Sequence, residues 1–515
     1  MKYAIDSREM RIIEDYTIKQ AGVPAVELME RAALAVVDVI TNNINKDDRI
    51  CVVCGKGNNG GDGAAIARLL FMRGYDVTII PAGVGAAPAG SLLELQLEKA
   101  RSLGVPIENR NKLDEYNIII DAIFGIGLTR PVSGVYEQII NEINNNKGMI
   151  FSVDVPSGIS ADDGKVLNVA VKAHRTITFG FMKKGLLFYP GAWYAGKITV
   201  ADIGLSPEAA LQLEAPAFYY EPEDLSLLPD RPAYSHKGTF GRVLVIAGSK
   251  GMSGAAFLSA KAAYRMGAGL VKVLTSEANR TIIQSLLPEA LFASYDEIDY
   301  SEESGRSRLL EDLSWASAVV IGPGLGKGDL AFWLLDIVLT EARVPVIVDA
   351  DAINILSERL NQANLMPEKR MEKLSEYLKP QSIITPHLME LARLTGKTVS
   401  DIQDNLIDTA AACSYNNEIV YVIKDAKTIV AHKGRYYINT SGNNGMATGG
   451  SGDVLTGIIA ALLAQGMDSY HASCLGVYIH GLAGDLAAHE NSSYSMMASD
   501  IIESIGRVIK GIKPI

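Results

Sequence analysis

Hydrophobic and polar positions along this chain follow the pattern of repeated strand–helix units. Apolar residues recur at helical spacing over residues 8–44 and are interrupted near Gly22, which predicts two helices. Short apolar runs then alternate with helical segments near 91–103 and 135–146; the predicted strands are Ile50–Cys54, Asp76–Ile80, Ile118–Asp121 and Met149–Val153. Strands that alternate with helices predict a parallel sheet with right-handed crossovers.

The same alternation starts again after a proline-rich stretch. Residues 205–235 contain five prolines with acidic residues between them, which indicates a linker and a domain boundary near residue 222. The strands predicted beyond it are Arg242–Ala247, Leu270–Leu274, Ala318–Ile321, Val346–Val348, Ser382–Thr385 and Val420–Ile423. We therefore expect two α/β domains, residues 1–222 and residues 223–515.

Amino-acid composition and net charge exclude several classes of protein. The 515 residues are 48% hydrophobic and carry a net charge of −11 without a long basic run, which argues against a nucleic-acid partner. The start of the chain has no apolar signal region and no apolar run is long enough for a membrane span, so we expect a cytoplasmic protein without a membrane partner. Cys51 and Cys54 lie in a predicted strand, where odd spacing sends them to opposite faces, so we interpret both as packing residues.

A glycine-rich turn in the second half is the strongest chemical signal. Gly449, Gly450 and Gly452 precede Asp453 and a helical run of apolar residues. A turn of this kind leaves several backbone N–H groups at a helix N-terminus, which favours anion binding. Asp453 beside such a cradle predicts a general base that takes a hydroxyl proton while the amides hold a phosphoryl group. The alternative is that Asp453 only caps the helix. No Walker A sequence occurs in the chain.

Polar loops also follow the predicted strands of the first half. Gly55-x-Gly57-x-x-Gly60 has the dinucleotide spacing, but Asp62 puts negative charge where a pyrophosphate would lie, so we reject ordinary Rossmann NAD binding. Loops that begin at Asp121 and Asp154 end two further strands at the same predicted edge, which indicates a site there. Oxygen ligands from Asn59, Asp121 and Ser157 suit a hard cation; alternatively, Asp121 and Asp154 cap turns.

Similar loops end the strands of the second half. They are Gly322–Gly326, Asp349–Asn354, Pro386–Glu390 and Lys424–Thr428. Because these loops share one sheet edge with Asp453, we expect a second site there. Alternatively, His387 is a hydrogen-bonded loop histidine, and Lys424–Thr428 is a solvated hairpin turn.

The motifs GKGNNGGDG, DAIFGIGLTRP and VDVPSG resemble the NAD(P)H-hydrate epimerase domain over residues 8–215. The resemblance implies a Rossmann-like three-layer α/β/α domain that holds a hydrated nicotinamide nucleotide (NADHX or NADPHX) and a potassium ion. It implies that Asp154 faces the reacting ring and that Asn59, Asp121 and Ser157 bind potassium. The substrate-binding residues that it implies are Asn58, Asn59, Gly60, Gly61, Asp62, Gly125, Ile126, Gly127, Leu128, Thr129, Arg130, Pro131, Tyr136 and Asp154.

The motifs MSGAAFLSAKAA, GPGLG, DADA, TPHLMEL and NGMATGGSGDVLTG resemble the ribokinase-like ADP- or ATP-dependent NAD(P)H-hydrate dehydratase over residues 230–512. The resemblance implies that Glu390 organises Mg²⁺ with the nucleotide and that Asp453 is the base. The hydrate would be bound by Ala255, Gly324, Leu325, Gly326, His387 and Asp453, and the adenine nucleotide by Lys424, Asp425, Ala426, Lys427, Thr428 and Gly452.

Together the two resemblances imply a homo-oligomeric enzyme that repairs hydrated nicotinamide cofactors. The first domain would interconvert the epimers, and the second would dehydrate the S form through a phosphorylated intermediate. The alternative is a ribokinase-like kinase of vitamin-precursor alcohols with a non-catalytic nucleotide-binding or oligomerisation module in front. A stable phosphorylated product would indicate the kinase, whereas released inorganic phosphate would indicate repair.

Overall fold

The computed structural model describes residues 1–83, 87–109, 113–298, 303–415 and 417–510. The chain divides into two compact units. The N-terminal unit is Lys2–Ala217, and the C-terminal unit is Phe218–Ile515 together with Met1. The domain boundary near residue 222 stays a prediction.

The N-terminal unit alternates strands and helices as the hydrophobic pattern predicts. Its first helix begins with a capping box, in which Asp6 accepts from the Glu9 amide and the Glu9 carboxylate accepts from the Asp6 amide. In chain order its elements are β1 (Lys2–Ile5), α1 (Ser7–Lys19), α2 (Ala25–Thr41), β2 (Arg49–Cys54), α3 (Asn58–Met72), β3 (Asp76–Pro81), α4 (Leu92–Ser102), β4 (Ile118–Ala122), α5 (Val135–Asn145), β5 (Met149–Val153), β6 (Arg175–Phe179), β7 (Met182–Lys183), α6 (Gly191–Ala195) and β8 (Lys197–Ala201).

A six-stranded parallel sheet forms the centre of the N-terminal unit, in the order β3-β2-β4-β5-β6-β8. Helices α2, α3 and α4 pack on one face, in a cluster that includes Cys54. Helix α5 packs on the other face, in a cluster that includes Cys51. The Rossmann-like three-layer fold is thus confirmed, and the two cysteines are buried on opposite faces as predicted.

The C-terminal unit repeats the alternation on a larger scale. Its elements are β9 (Ala217–Tyr219), β10 (Arg242–Ile246), α7 (Ser253–Arg265), β11 (Leu270–Thr275), α8 (Arg280–Leu286), β12 (Leu291–Ser294), α9 (Glu303–Trp315), β13 (Ala318–Ile321), α10 (Asp329–Glu341), β14 (Val346–Val348), α11 (Asp351–Gln362), α12 (Pro367–Tyr377), β15 (Ile383–Ile384), α13 (Leu388–Thr395), α14 (Val399–Asp404), α15 (Leu406–Ser414), β16 (Val420–Ile423), β17 (Ile429–His432), β18 (Arg435–Ile438), α16 (Ser451–Ala464), α17 (Ser469–Asn491) and α18 (Ala498–Lys510).

Strands of the C-terminal unit form one sheet in the order β12-β11-β10-β13-β14-β15-β16-β17-β18-β9. The strands from β12 to β16 are parallel, and β16, β17 and β18 continue the sheet as antiparallel neighbours. The loops after β10, β13, β14, β15 and β16 therefore share one edge of the sheet. Helix α16 packs between α7 and α17, and its residues from Val454 to Ala464 are all buried.

The linker prediction for residues 205–235 was wrong in part. Strand β9 lies inside this stretch and pairs with β18 through Phe218 and Tyr437. Phe218 and Tyr220 are buried and pack against the Tyr437 ring at centroid distances of 5.6 and 4.9 Å. Pro216 and Pro222 flank this short aromatic strand. Because proline is typical of turns, the sequence pattern predicted a linker here instead of a strand. No helix in the described part of the chain is long and apolar enough to cross a membrane.

Candidate functional site

A cavity of about 1300 Å³ opens at the carboxyl end of the N-terminal sheet. Most of the residues that the sequence assigned to a substrate line this cavity; they are Asn58, Asn59, Asp62, Gly125, Ile126, Gly127, Leu128, Thr129, Arg130, Pro131, Tyr136 and Asp154. The Phe124 and Tyr136 rings pack together in its wall, tilted by 53° with their centroids 4.9 Å apart. The strand-end loops therefore converge, as the alternation of strands and helices predicts.

Gly60 and Gly61 do not line the cavity, although the sequence assigned both to the substrate. A Cβ on Gly60 would lie 1.9 Å from the carbonyl oxygen of Gly55, and one on Gly61 would lie 2.7 Å from the Met29 Cε. Gly60 therefore allows helix α3 to start close to the backbone that follows β2, and Gly61 allows α3 to pack closely against Met29 of α2. Their contact with a substrate stays a prediction.

Asp154 lies where β5 ends, with a positive φ of 65°, which is unusual for a residue other than glycine. Its Oδ1 contacts the Lys183 ammonium at 2.9 Å and accepts a hydrogen bond from the Thr178 hydroxyl at 3.1 Å. The Oδ2 atom lies on the side of Gly125, where an added Cβ would meet it at 3.1 Å and Asn59 Oδ1 at 3.3 Å. Gly125 thus leaves room at the point where the Asp154 and Asn59 side chains meet.

The side chains predicted to hold a cation are those of Asn59, Asp121 and Ser157, and Asn59 lies at this point. The buried Asp121 carboxylate accepts from the Ser152 and Ser157 hydroxyls at 2.8 and 2.5 Å and from the Ser157 amide at 2.8 Å. These donors are all neutral, and burial raises the pKa of Asp121 against their effect. Asn59 Nδ2 is buried without a hydrogen-bond partner among the described residues. Both Asp121 oxygens and the Ser157 hydroxyl already have protein partners, and the unpartnered Asn59 atom is an N–H donor that does not bind cations, so potassium binding by Asn59, Asp121 and Ser157 stays a prediction.

Four charged residues of the N-terminal site were not predicted as site residues: Arg11, Glu14, Lys56 and Lys183. Arg11 and Glu14 reach the cavity from helix α1, and Lys183 is fully buried behind Asp154. Burial and the Asp154 carboxylate raise the pKa of Glu14 to about 7. Burial also raises the pKa of Asp62, and Asp154 and Glu14 add to the effect. The cavity therefore holds three carboxyl groups whose charges oppose one another.

Asp453 lies in the first turn of α16, after Gly450 with a left-handed φ of 90°. Within the described residues, no hydrogen bond satisfies the amides of Gly449, Gly450, Gly452 and Asp453, while the Ser451 amide lies 3.4 Å from the Thr448 carbonyl oxygen. No side chain caps this helix, so the alternative that Asp453 is merely its N-cap is not supported. The turn has the open N–H groups that an anion cradle requires.

A cluster of charges surrounds Asp453. Lys424 Nζ contacts Asp349 Oδ1 at 2.7 Å, and a Cβ placed on Gly452 would lie 3.3 Å from that ammonium. Burial would lower the pKa of Lys424, but the carboxylates of Asp349 and Glu390 outweigh it and raise the pKa. Burial and the Asp349 charge raise the pKa of Asp453 to about 7. A partly buried cation and a weakly acidic carboxyl group thus lie at one helix N-terminus.

The predicted hydrate-binding residues of the C-terminal unit lie at the same sheet edge. Gly324 approaches Ala255 so closely that a Cβ on Gly324 would lie 3.0 Å from the Ala255 Cβ. The Gly326 amide donates to Asp351 Oδ2 at 2.8 Å, and Leu325 is buried beside it. His387 caps α13, because its Nδ1 accepts from the amides of Met389 and Glu390 at 3.1 and 3.3 Å. The Nδ1 atom is thus occupied by helix capping, and hydrate binding by His387 stays a prediction.

The segment Lys424–Thr428 connects β16 to β17 as a hairpin loop, so the hairpin alternative describes its backbone. Lys424 is 19% exposed, and the Lys427 ammonium donates to the Thr440 carbonyl oxygen at 3.3 Å. Burial lowers the pKa of Lys427 and raises that of Asp425. Contacts of Lys424, Asp425, Ala426, Lys427, Thr428 and Gly452 with a nucleotide stay predictions.

Two further buried groups support the C-terminal site and were not predicted as site residues. Asp349 accepts from the Thr385 hydroxyl at 2.6 Å as well as from Lys424. His480 Nε2 lies 3.3 Å from the Ser451 hydroxyl at the start of α16, and burial lowers the pKa of His480 to about 4. His480 is therefore neutral at physiological pH. The DADA motif contained a signal for Asp349, whereas His480 lies inside a long helix where the sequence gives no signal.

The Lys424–Asp349 pair predicts a large stability effect. Replacing Lys424 by methionine leaves the Asp349 carboxylate, whose side chain is 2% exposed, without its counter-charge. We expect the free energy of unfolding to fall by about 3–5 kcal/mol in denaturant titrations. Lys433→Met is the matched control, because Lys433 contacts Glu418 at the same 2.7 Å but both side chains are about half exposed. Removing the Lys433–Glu418 pair should lower the free energy of unfolding by at most about 1 kcal/mol. Equal decreases in the two variants would contradict this prediction.

Comparison with known proteins gives the same division of the chain. A family model described as NAD(P)H-hydrate dehydratase matches residues 243–507, and one described as YjeF-related protein N-terminus matches residues 25–185. The bifunctional NAD(P)H-hydrate repair enzyme Nnr of Thermofilum pendens is 34% identical over 98% of this chain and 96% of its own. The Escherichia coli protein of the same description is 35% identical over 95% of this chain and 90% of its own.

Among solved structures, an ADP/ATP-dependent NAD(P)H-hydrate dehydratase from Bacillus subtilis, co-crystallised with ATP and Mg²⁺, aligns with 58% of this chain and 99% of its own. Its TM-score is 0.48 and its sequence identity is 31%. The curated relatives span both units of the chain at 34% and 35% identity, and each unit carries a match to its own family model. The chain therefore belongs to the family of bifunctional NAD(P)H-hydrate repair enzymes.

Proposed function

We propose that the two units perform two steps of one repair reaction. The N-terminal unit interconverts the R and S epimers of hydrated NADH and NADPH, and the C-terminal unit dehydrates the S form with ADP or ATP. With ADP as donor the products are NAD(P)H, AMP and phosphate. One observation carries the proposal for the second step: the Asp453 carboxyl group lies beside the Lys424 ammonium, at a helix N-terminus where the amides of Gly450, Gly452 and Asp453 have no hydrogen-bond partner among the described residues.

The chemistry explains why this arrangement is needed. Hydroxide is a poor leaving group, so the ring hydroxyl must first become a phosphate ester. Asp453 takes the hydroxyl proton as the oxygen attacks the donor's terminal phosphorus, and AMP or ADP leaves. The amides of Gly450 and Gly452 and the Lys424 ammonium stabilise the charge on the moving phosphoryl group.

The second half of the reaction restores the double bond. The lone pair of the ring nitrogen expels phosphate with the electrons of the carbon–oxygen bond, and the neighbouring ring carbon then loses a proton. Glu390 carries a buried carboxyl group near Lys424 and Asp349, and burial raises its pKa to about 7. Its carboxylate and that of Asp349 are the oxygen ligands that suit hydrated Mg²⁺ at the phosphates, where the ion would neutralise charge.

In the N-terminal unit, the substrate carbon carries both the hydroxyl group and the ring nitrogen. Its configuration inverts when one of those bonds opens and closes again, and both routes require a group that moves a proton at the hydroxyl oxygen. Asp154 is this group in our proposal, with Asn58, Asn59 and the loop Gly125–Pro131 around the nucleotide. Oxygen atoms of Asn59, Asp121 and Ser157 would hold potassium, whose charge compensates the buried Asp121 carboxylate.

The raised pKa of Asp453 predicts how dehydration depends on pH. Asp453 must be ionised to accept the hydroxyl proton, and its pKa is about 7. We expect kcat/KM for the S hydrate to fall about tenfold per pH unit below pH 7 and to level off above it. Because the pKa of Glu390 is also raised to about 7, the observed midpoint belongs to both groups together. Initial rates between pH 5.5 and about 8.5 would test this, and a flat profile would contradict it.

The whole proposal can be tested against the kinase alternative in one assay. The full chain is incubated with NADH hydrate and either ADP or ATP while the absorbance of the restored dihydronicotinamide is followed. Repair predicts that this absorbance rises in step with released inorganic phosphate. A phosphorylated vitamin-precursor alcohol, formed without either change in the NADH hydrate assay, would instead support the kinase.

A further inference from the structure

Helix α1 places a carboxyl group in the N-terminal cavity to which no role has yet been given. Glu14 lines the cavity together with Asp154 and Asp62. On α1, Ile13 and Thr17 are buried and Asp15 is exposed, so Glu14 lies at the boundary between the buried and the exposed side of the helix. Among the described residues, the charged groups that act on Glu14 are Asp154, Lys183, Arg11, Asp15 and Asp62, and none of them forms an ion pair with it.

Two adjacent lysines fix Glu14 and Asp154 relative to each other. Lys183 contacts Asp154 at 2.9 Å, while Lys184 contacts both Asp6 and Glu9, at the start of α1, at 2.9 Å. Strand β1, which leads into α1, pairs with β7 through Ile5 and Lys183. The short segment that holds Asp154 in place therefore also holds the helix that carries Glu14.

The environments of these two carboxyl groups differ in a way that acid–base catalysis requires. Asp154 Oδ1 contacts a buried ammonium and accepts a hydrogen bond from a hydroxyl group. Glu14 has no such partner in the described residues, and burial with the nearby Asp154 charge raises the pKa of Glu14 to about 7. At neutral pH a substantial fraction of Glu14 carries a proton. The cavity thus contains two carboxyl groups with different partners on separate elements.

We propose that Glu14 is the second proton-transfer group of the epimerisation, working with Asp154. This inference rests on the proposed epimerase function. Glu14 gives its proton to the departing hydroxyl, which leaves as water with the electrons of the carbon–oxygen bond while the ring nitrogen forms a double bond to carbon. A water molecule then adds to the opposite face, the carbon–nitrogen pair returns to nitrogen, and Asp154 takes the proton that this water loses. The reverse reaction exchanges the two roles.

The test uses the full chain and purified R-NADH hydrate without any nucleotide, with the R and S forms separated by chromatography over time. We expect Glu14→Gln to lower the epimerisation rate by about 10²-fold or more. Glu14→Asp keeps a carboxyl group and should retain more activity than Glu14→Gln. Glu98→Gln is the matched control, because Glu98 is exposed on helix α4 and does not line the cavity, so its rate should equal that of the wild type.

The outcomes separate the inference from the proposed function. If the wild-type protein does not interconvert the epimers, the epimerase function fails. If it does and Glu14→Gln matches its rate, only the role of Glu14 is overturned. Equilibrium dialysis of NADH hydrate should show unchanged binding to Glu14→Gln, and loss of binding in step with the rate would overturn proton transfer in favour of a binding role. If Glu14→Gln does not fold, the pH profile of the wild-type epimerisation rate decides: because Glu14 must carry a proton and its pKa is about 7, a rate that does not fall above pH 7 would overturn the inference.

Discussion

Replacing Asp453 by asparagine is expected to lower the rate of nucleotide-dependent dehydration by about 10²–10⁴-fold. The variant keeps the size of the side chain and the free amides of the turn but removes the group that accepts the hydroxyl proton. Binding of the S hydrate and of ADP should change little, because neither depends on that proton transfer. Rates follow from the absorbance of restored NADH, and binding from equilibrium dialysis.

Folding should not explain the loss of activity in Asp453→Asn. Burial raises the pKa of Asp453, which means that the folded state disfavours its charged form and that a neutral amide should not lower the melting temperature. Asp408→Asn is a matched control, since Asp408 is the third residue of α15 as Asp453 is of α16, but it is exposed. Turnover of Asp453→Asn within a few-fold of the control would refute the role of Asp453.

Asp154→Asn in the full chain is expected to divide the repair of a mixture of R and S hydrates into two phases. The S half should be converted at the wild-type rate, because the C-terminal site is unchanged. The R half should follow only as fast as the epimers interconvert without catalysis, which is measured in a sample without protein. Progress curves with excess ADP report both phases, and the wild-type protein should show a single phase.

Two controls make this result specific. Purified S hydrate must be dehydrated by Asp154→Asn at the wild-type rate, and the exposed Asp202→Asn should leave the single phase unchanged. Because Asp154 is the partner of buried Lys183, the thermal unfolding of the variant must also be compared with that of the wild type. A single fast phase in a folded Asp154→Asn variant would show that Asp154 is not needed for epimerisation.

The loops that end parallel strands could be predicted from sequence because the chemistry and the periodicity agree there. Asn59, Gly125, Asp154 and Asp453 each follow a short apolar run or a glycine turn, and parallel topology brings such ends to one edge. The sequence also predicted that Cys51 and Cys54 are buried on opposite faces of β2.

Glu14 and Lys183 could not be predicted in the same way. A single glutamate on an amphipathic helix usually indicates a solvated face, and only the tertiary contacts through Lys183 and Lys184 place Glu14 at the cavity. Lys183 lies in a strand of two residues, which is too short to give a periodic signal. Gly60 and Gly61 remain ambiguous, because close packing of a helix and close approach of a ligand both require glycine, and the sequence does not distinguish the two roles.

The account depends on the ring hydroxyl of the hydrate becoming a phosphate ester at Asp453. The most direct measurement uses S-NADH hydrate labelled with ¹⁸O in that hydroxyl, with ADP and the Asp154→Asn variant, so that epimerisation does not exchange the label. If the hydroxyl oxygen attacks phosphorus, mass spectrometry will find the label in the released inorganic phosphate, in proportion to the NADH restored. Unlabelled phosphate with the label in water would contradict the account.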